Sequence, residues 1–167
     1  MFMPSFYCSL CSWLTALYRT FIIAKGVFIL QYLTDILPRR QIYFGIYDLK
    51  YAARSGRIPT AAAFLGTKLN LKPVMKIFDN GITTAAKCRG ERKLVEKVAE
   101  MSIADMEPGS SYELVYGNDP ACLEELRRLM VQQLGYEPAA TYQIGAAVAA
   151  NAGPRVVGAA FTRKKEG

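Results

Sequence analysis

The sequence predicts an α/β protein in which helices pack against a mixed β-sheet that includes a β-hairpin. Three observations carry this expectation. Aromatic and β-branched runs such as QIYFGIY at 41–47 alternate with stretches whose apolar residues recur at helical spacing. The triplet Asp79-Asn80-Gly81 joins two extended runs, and those residue types suit the dihedrals of a tight hairpin turn. No internal repeat or low-complexity linker interrupts the chain, so one layered α/β domain is expected from about residue 41.

Each element has a local reason. Residues 21–37 read as a helix that Pro38 stops, because the next ring cannot continue the hydrogen-bond ladder. The stretch 41–47 reads as a buried strand. Asp48 can cap a short helix, LKYAAR, and Gly56 supplies the turn that ends it. Thr60 can cap a further helix, AAAFLGTKL, in which Phe64 and Leu65 repeat toward Leu69. LKPVMKIF and GITTAAKCR are the hairpin strands, with Pro73 near a strand start, where a missing N–H costs least. In GERKLVEKVAEMSIADM, Leu94, Val95, Val98 and Ala99 share one helical face, and Pro108-Gly109 breaks the run. YELVYG at 112–117 is a strand, and Asn118-Asp119-Pro120 opens a helix with proline in its first turn. Leu123, Leu126, Leu129, Met130 and Leu134 form that helix's stripe, which Gly135 ends. TYQIGAAVAANAGP and VVGAAFTR are expected as two final short strands around a glycine-proline turn.

Composition narrows the function. At 167 residues, 51% hydrophobic and 21% charged, the chain can bury an ordinary globular core. The net charge of +7 favours anions, lipid headgroups or an acidic partner. Its visible concentrations are Lys87, Arg89, Arg92, Lys93 and Lys97, and the tail Arg163-Lys164-Lys165. A basic anion- or nucleic-acid-binding module is therefore the alternative reading, with affinity falling steeply as salt rises. The absence of histidine removes Ser-His and Cys-His nucleophile pairs and His-ligated zinc. Cys8 and Cys11 stand alone, without the second pair that a zinc site needs, so no metal or cofactor is expected. Cys88 and Cys122 read as free thiols of a cytoplasmic protein. Glu113 and Asp119 are not paired as an acid and a base, and the chain does not read as an enzyme.

Two stretches remain. Residues 1–18 carry no side-chain charge, yet the run is short for a spanning helix and holds Pro4, Ser5, Ser9, Ser12 and Thr15. It lacks the positive start and cleavage site of a signal peptide. A docked or unusually exposed amphipathic helix is expected rather than a stable membrane span. In RSGRIP, Arg54 and Arg57 bracket Ser55-Gly56 just before the apolar run TAAAFLGTKLNLKPVM. An arginine at the mouth of such a run suits a ligand with an anionic head and an apolar tail. Stacking of Arg57 on Tyr51, or its bonding to helix carbonyls, is the structural alternative.

The succession D-L-x-Y, x-S-G-R-I, F-L-G-x-x-L-N-x-K-P, the hairpin D-x-G, K-x-R-G-x-x-K and a terminal I-G with G-P resembles the DegV family of bacterial fatty-acid-binding proteins. The match runs from about Ala24 to Phe161, giving residues 1–23 as an atypical apolar segment and 24–167 as a lobe similar to the family's second lobe. The resemblance implies a long-chain fatty acid held in a tunnel between two lobes. It also implies a partner kinase subunit, to which the acyl carboxylate is presented for phospholipid synthesis, and no nucleic acid. Arg57 matches the arginine of the family's GGRI motif, near the carboxylate end. Arg89 matches the arginine of KxRGRKK, at the same end, and with Arg92 and Lys93 is implied in engaging the kinase. In 149-AANAGPR-155, Asn151 stands where the family has a head-group histidine and Arg155 replaces a glycine, while Gly153-Pro154 keeps the turn. The family's first lobe has no counterpart here, so a truncated or frame-disrupted gene product is expected, its apolar face covered by residues 1–23 or by a second copy in a homodimer.

Overall fold

Strand alternation sets the architecture. In β1 (Arg40–Ile46), Gln41 and Tyr43 point to one face of the sheet and Phe44 and Ile46 contribute to the other, and both faces are covered at least in part. The computed structural model describes residues 27–56, 69–79 and 81–165. It divides into two compact units, Met1–Pro38 and Arg39–Gly167.

In the first unit, residues 27–36 form helix α1, where the Thr34 hydroxyl donates to the Leu30 carbonyl one turn back. Val27, Phe28, Ile29, Leu30 and Tyr32 are exposed on it. Among the described residues no helix is long and apolar enough to cross a membrane.

The second unit is a mixed sheet with packed helices. After β1 come α2 (Leu49–Arg54), β2 (Leu71–Phe78), β3 (Gly81–Arg89) and α3 (Glu91–Asp105). Then follow β4 (Tyr112–Tyr116), α4 (Pro120–Leu134), β5 (Ala140–Gln143), α5 (Ala146–Ala152) and β6 (Val156–Thr162). The six strands lie in the order β3-β2-β1-β6-β4-β5, antiparallel except for the parallel pair β4–β5. The last strand in sequence is thus inserted between β1 and β4, beside the first.

The expected hairpin is β2–β3, with Phe78 opposite Gly81 and Asp79 at φ 48°; Asn80 lies outside the described residues. The helix expected at 61–69 and the segment 1–23 fall outside them too, apart from Leu69. Asp48 and Asp119 cap α2 and α4 as expected, accepting from the amides of Lys50 and Ala121. Gly135, at φ 80°, ends α4 in the left-handed region. One expectation fails: 146–152, read as part of a strand, is helical. Its sequence, AAVAANA, is mostly the residue with the best helix propensity, and Gly145 separates it from β5.

The main core lies between the sheet and helices α3 and α4. Leu94, Val95, Val98 and Ala99 of α3 and Leu123, Leu126 and Met130 of α4 meet Tyr43, Val74, Tyr112, Leu114, Val157, Ala159 and Phe161. Burial of each large aliphatic side chain stabilises by roughly 1.5–3 kcal/mol. A second cluster, Ile46, Ala52, Met75, Ala152 and Val156, involves α2 and α5 and includes Phe44 and Ile144 at its margin.

Candidate functional site

The site forms where the end of β1, the start of β2, α2 and the turn before β6 meet. Because β6 pairs antiparallel with β1, Ile46 opposite Val156, the Gly153-Pro154-Arg155 turn falls beside Tyr47. The Tyr47 amide donates to the Arg155 carbonyl. A cavity of about 430 Å³ opens here, lined by residues 47–51, Leu71, Lys72, Pro154 and Arg155.

Close packing holds the turn. Gly153 has φ +92°, and a Cβ on it would lie 2.9 Å from the Tyr51 ring. Gly117 also packs against the turn, and a Cβ on it would come within 1.8 Å of the Pro154 carbonyl oxygen. The Asn118 amide donates to that oxygen at 2.8 Å. Only glycine lets the backbones meet this way.

The cavity is polar at its rim. Lys72 Nζ donates to the Tyr47 carbonyl, and Lys50 pairs with Asp48 at 2.8 Å. Arg155 Nη1 and Nη2 donate to the two carboxylate oxygens of Glu91, each at 3.0 Å. Nη2 and Nε also donate to Asp119 Oδ2, at 3.0 and 3.3 Å. The guanidinium carbon lies 4.6 Å from the centre of the Tyr47 ring, a stacking distance. Burial drives the Tyr47 phenol well above its usual range, and raises the Cys122 thiol that donates to Asp119 Oδ2 at 3.3 Å. This cluster therefore stays in one charge state near neutrality: neutral phenol and thiol around a paired arginine.

The residues singled out from the sequence fall as follows. Arg57 lies outside the described residues, but Ser55 two positions before it donates through Oγ to the Asn151 carbonyl at 3.3 Å. The Asn151 side-chain amide donates to the Ala147 carbonyl at 2.8 Å, within α5. Arg89 is exposed at the end of β3, opposite Leu71 of the cavity lining, and has no ion-pair partner among the described residues. Arg92 is exposed and pairs with Glu96 at 2.9 Å; Lys93 is also exposed. Asp119 pairs with Arg155, whereas Glu113 pairs with Arg40 at 2.7 Å on another part of the sheet. Cys88 and Cys122 are free and half-buried. Among the described residues no group of histidine, cysteine or carboxylate side chains could hold a metal ion.

Three motif segments thus converge on one end of the sheet: Ser55 through Asn151, 89–93 through the Leu71–Arg89 pair and Glu91, and 149–155 through the turn itself. Sequence reasoning missed the centre of the network, Arg155. The signal was present, an arginine directly after Gly-Pro, but its partners at 91 and 119 are far away in the chain.

The fold and site define a layered α/β lobe, a mixed sheet with a cavity at one end. The chain belongs to the DegV family: the family model, which describes an uncharacterised protein family, matches residues 28–164. A DegV domain-containing protein of Lactococcus lactis is 33% identical over 108 residues, 64% of this chain and 37% of that protein. One from Streptococcus pyogenes is 29% identical over 126 residues, 73% of this chain and 43% of its own length. The chain therefore spans less than half the length of these relatives. Among solved structures, a fatty acid binding DegV family protein from Streptococcus agalactiae superposes with a TM-score of 0.66 at 22% identity, over 82% of this chain and 49% of the other. A stearic acid-binding protein from Eubacterium ventriosum gives 0.66 at 23% identity, over 81% and 48%. A Thermus thermophilus DegV family protein, whose structure is of its fatty acid binding, gives 0.58 at 29% identity, over 74% and 45%.

Proposed function

We propose that this chain is a lipid-binding lobe that holds a long-chain fatty acid with its carboxylate at the cavity end of the sheet. The observation that carries the reading is the convergence of Ser55 and the 89–93 and 149–155 segments on that end. Family membership and the fatty acids bound by structural relatives support it. A carboxylate leaving water for apolar surroundings must be paired or it will neutralise. Arg89 is an exposed guanidinium beside the cavity lining with no ion-pair partner among the described residues, and Arg57 follows Ser55 by two positions. Charge-assisted bonds from such groups contribute roughly 1.5–3 kcal/mol each. Asn151 stands in the third head-group position; its amide can donate to a carboxylate, but it carries no proton that titrates.

In the finer reading the lobe has no chemistry of its own. It presents the carboxylate to a fatty-acid kinase subunit, with Arg92 and Lys93 beside Arg89 as the docking face. A second lobe, or a second copy of this chain, covers the ligand.

The test is native mass spectrometry of the purified protein beside a solvent extract, followed by titration with sodium oleate. A fatty-acid mass increment is expected, and Arg89→Ala or Arg57→Ala should weaken oleate binding about tenfold or more while leaving the melting temperature unchanged. Lipid-free protein that also ignores added oleate would sink the reading.

A further inference from the structure

Arg155 makes more contacts than a residue holding a turn requires. Its fork meets the Glu91 carboxylate in two parallel bonds, which fix direction as well as distance. The same guanidinium reaches Asp119, the cap of α4, and stacks on Tyr47 of the cavity lining. Glu91 is the first residue of α3 and lies in the middle of the basic segment 89–93. That helix start has no side-chain cap: Gly90 occupies the position, its amide donating to the Asn70 carbonyl at 3.0 Å and its carbonyl accepting from the Leu94 amide at 3.3 Å. The Arg155 and Glu91 side chains are 40% and 48% exposed, so their pairing adds little to stability. What the fork does supply is a direct, oriented contact between two segments 64 residues apart.

We propose that Arg155 is a positioning residue that makes the Gly153–Arg155 turn and the basic segment 89–93 move as one body. Resting on the fatty-acid reading, this means that a ligand displacing the turn reorients the surface offered to a partner. The turn is the natural point of entry, since Tyr51 and Pro154 both line the cavity and Tyr51 packs against Gly153. Lysine could not replace the arginine, because its ammonium sits on a flexible stem and lacks the planar fork that fixes direction against a carboxylate.

The experiment perturbs the turn without ligand. Gly153→Ala drives a methyl into the Tyr51 ring at a strained φ, and amide ¹H–¹⁵N shifts are recorded for the full chain. With Arg155 present, the amides of 89–93 should respond together with those of 149–154. In Arg155→Lys the response at 89–93 should be lost while that at 149–154 persists. Glu91→Gln, which keeps the Arg155–Asp119 pair, repeats the comparison from the other end should the lysine variant fail to fold. Equal responses at 89–93 with and without the fork, or none in either, overturn the proposal. A parallel oleate titration separates the two ideas. Oleate binding that shifts 89–93 equally in the parent and in Arg155→Lys acts through direct contact at Arg89 and overturns the link, whereas absence of oleate binding overturns only the ligand reading, and Gly153→Ala still decides the link.

Discussion

Single residues set the tolerances of this fold. At Gly45 the sheet and α3 are in contact because no side chain intervenes: a Cβ would sit 2.7–2.9 Å from three atoms of Leu94, which is fully buried. Gly45→Ala should destabilise by about 1–3 kcal/mol through overpacking. Leu94→Ala should cost about 2–5 kcal/mol through the cavity it leaves. Urea unfolding of the double variant should show a cost below the sum, since the methyl at 45 fills part of that space. Asp105 gives a second residue-scale test. Burial pushes its carboxyl up, but hydrogen bonds from Tyr43 Oη at 2.7 Å and Gln41 Nε2 at 3.0 Å outweigh it and hold the group below its usual range. Its stabilising contribution is therefore complete above the unfolded pKa near 3.9 and lost as pH falls through the lower folded value. Tyr43 runs the other way: burial and Asp105 push its phenol up to about 12, so its contribution is intact below the unfolded value near 10 and lost as pH rises through about 12. Melting curves against pH should show both limbs, and Asp105→Asn should flatten the acid one.

Elements depend on their ends. Helix α4 starts at Asp119, which accepts from the Ala121 amide at 3.1 Å while also holding Arg155. Asparagine caps nearly as well as aspartate but carries no charge. Asp119→Asn should therefore leave stability almost unchanged, and Asp119→Ala should cost about 1 kcal/mol. Thermal melts of the two variants would check this. If asparagine costs as much as alanine, the pairing with Arg155, not the cap, is what the position supplies. The segment 146–152 teaches the complementary lesson. Its alanines favour a helix by propensity alone, yet its place between two strands invites a reading of continuous sheet.

At the scale of the whole molecule, a basic protein faces a choice between binding an anion by charge and enclosing a lipid. The two differ in how affinity responds to conditions. Enclosure predicts tighter binding with each added methylene, about 0.8 kcal/mol or fourfold, until the cavity is filled. It also predicts little change between low and moderate salt. Binding through the 87–97 cluster alone predicts the reverse, insensitivity to chain length and a steep loss with salt. Titrating a series of saturated fatty acids at two salt concentrations separates them, and the proposed function expects the first pattern.

Much of this was legible locally. The hairpin, the apolar stripes of α3 and α4, both aspartate caps and the Gly135 stop are dictated by residues within a few positions of one another, because capping and periodicity are short-range effects. The motif segments that mark the chain as a DegV family member were likewise readable. What sequence alone could not order was the sheet, in which the last strand lies between the first and the fourth. That insertion brings the 153–155 turn against Tyr47 and Gly117 and lets Arg155 reach Glu91 and Asp119. Long-range pairing of this kind depends on which buried faces fit together, and a guanidinium's partners are decided only when the strands have met.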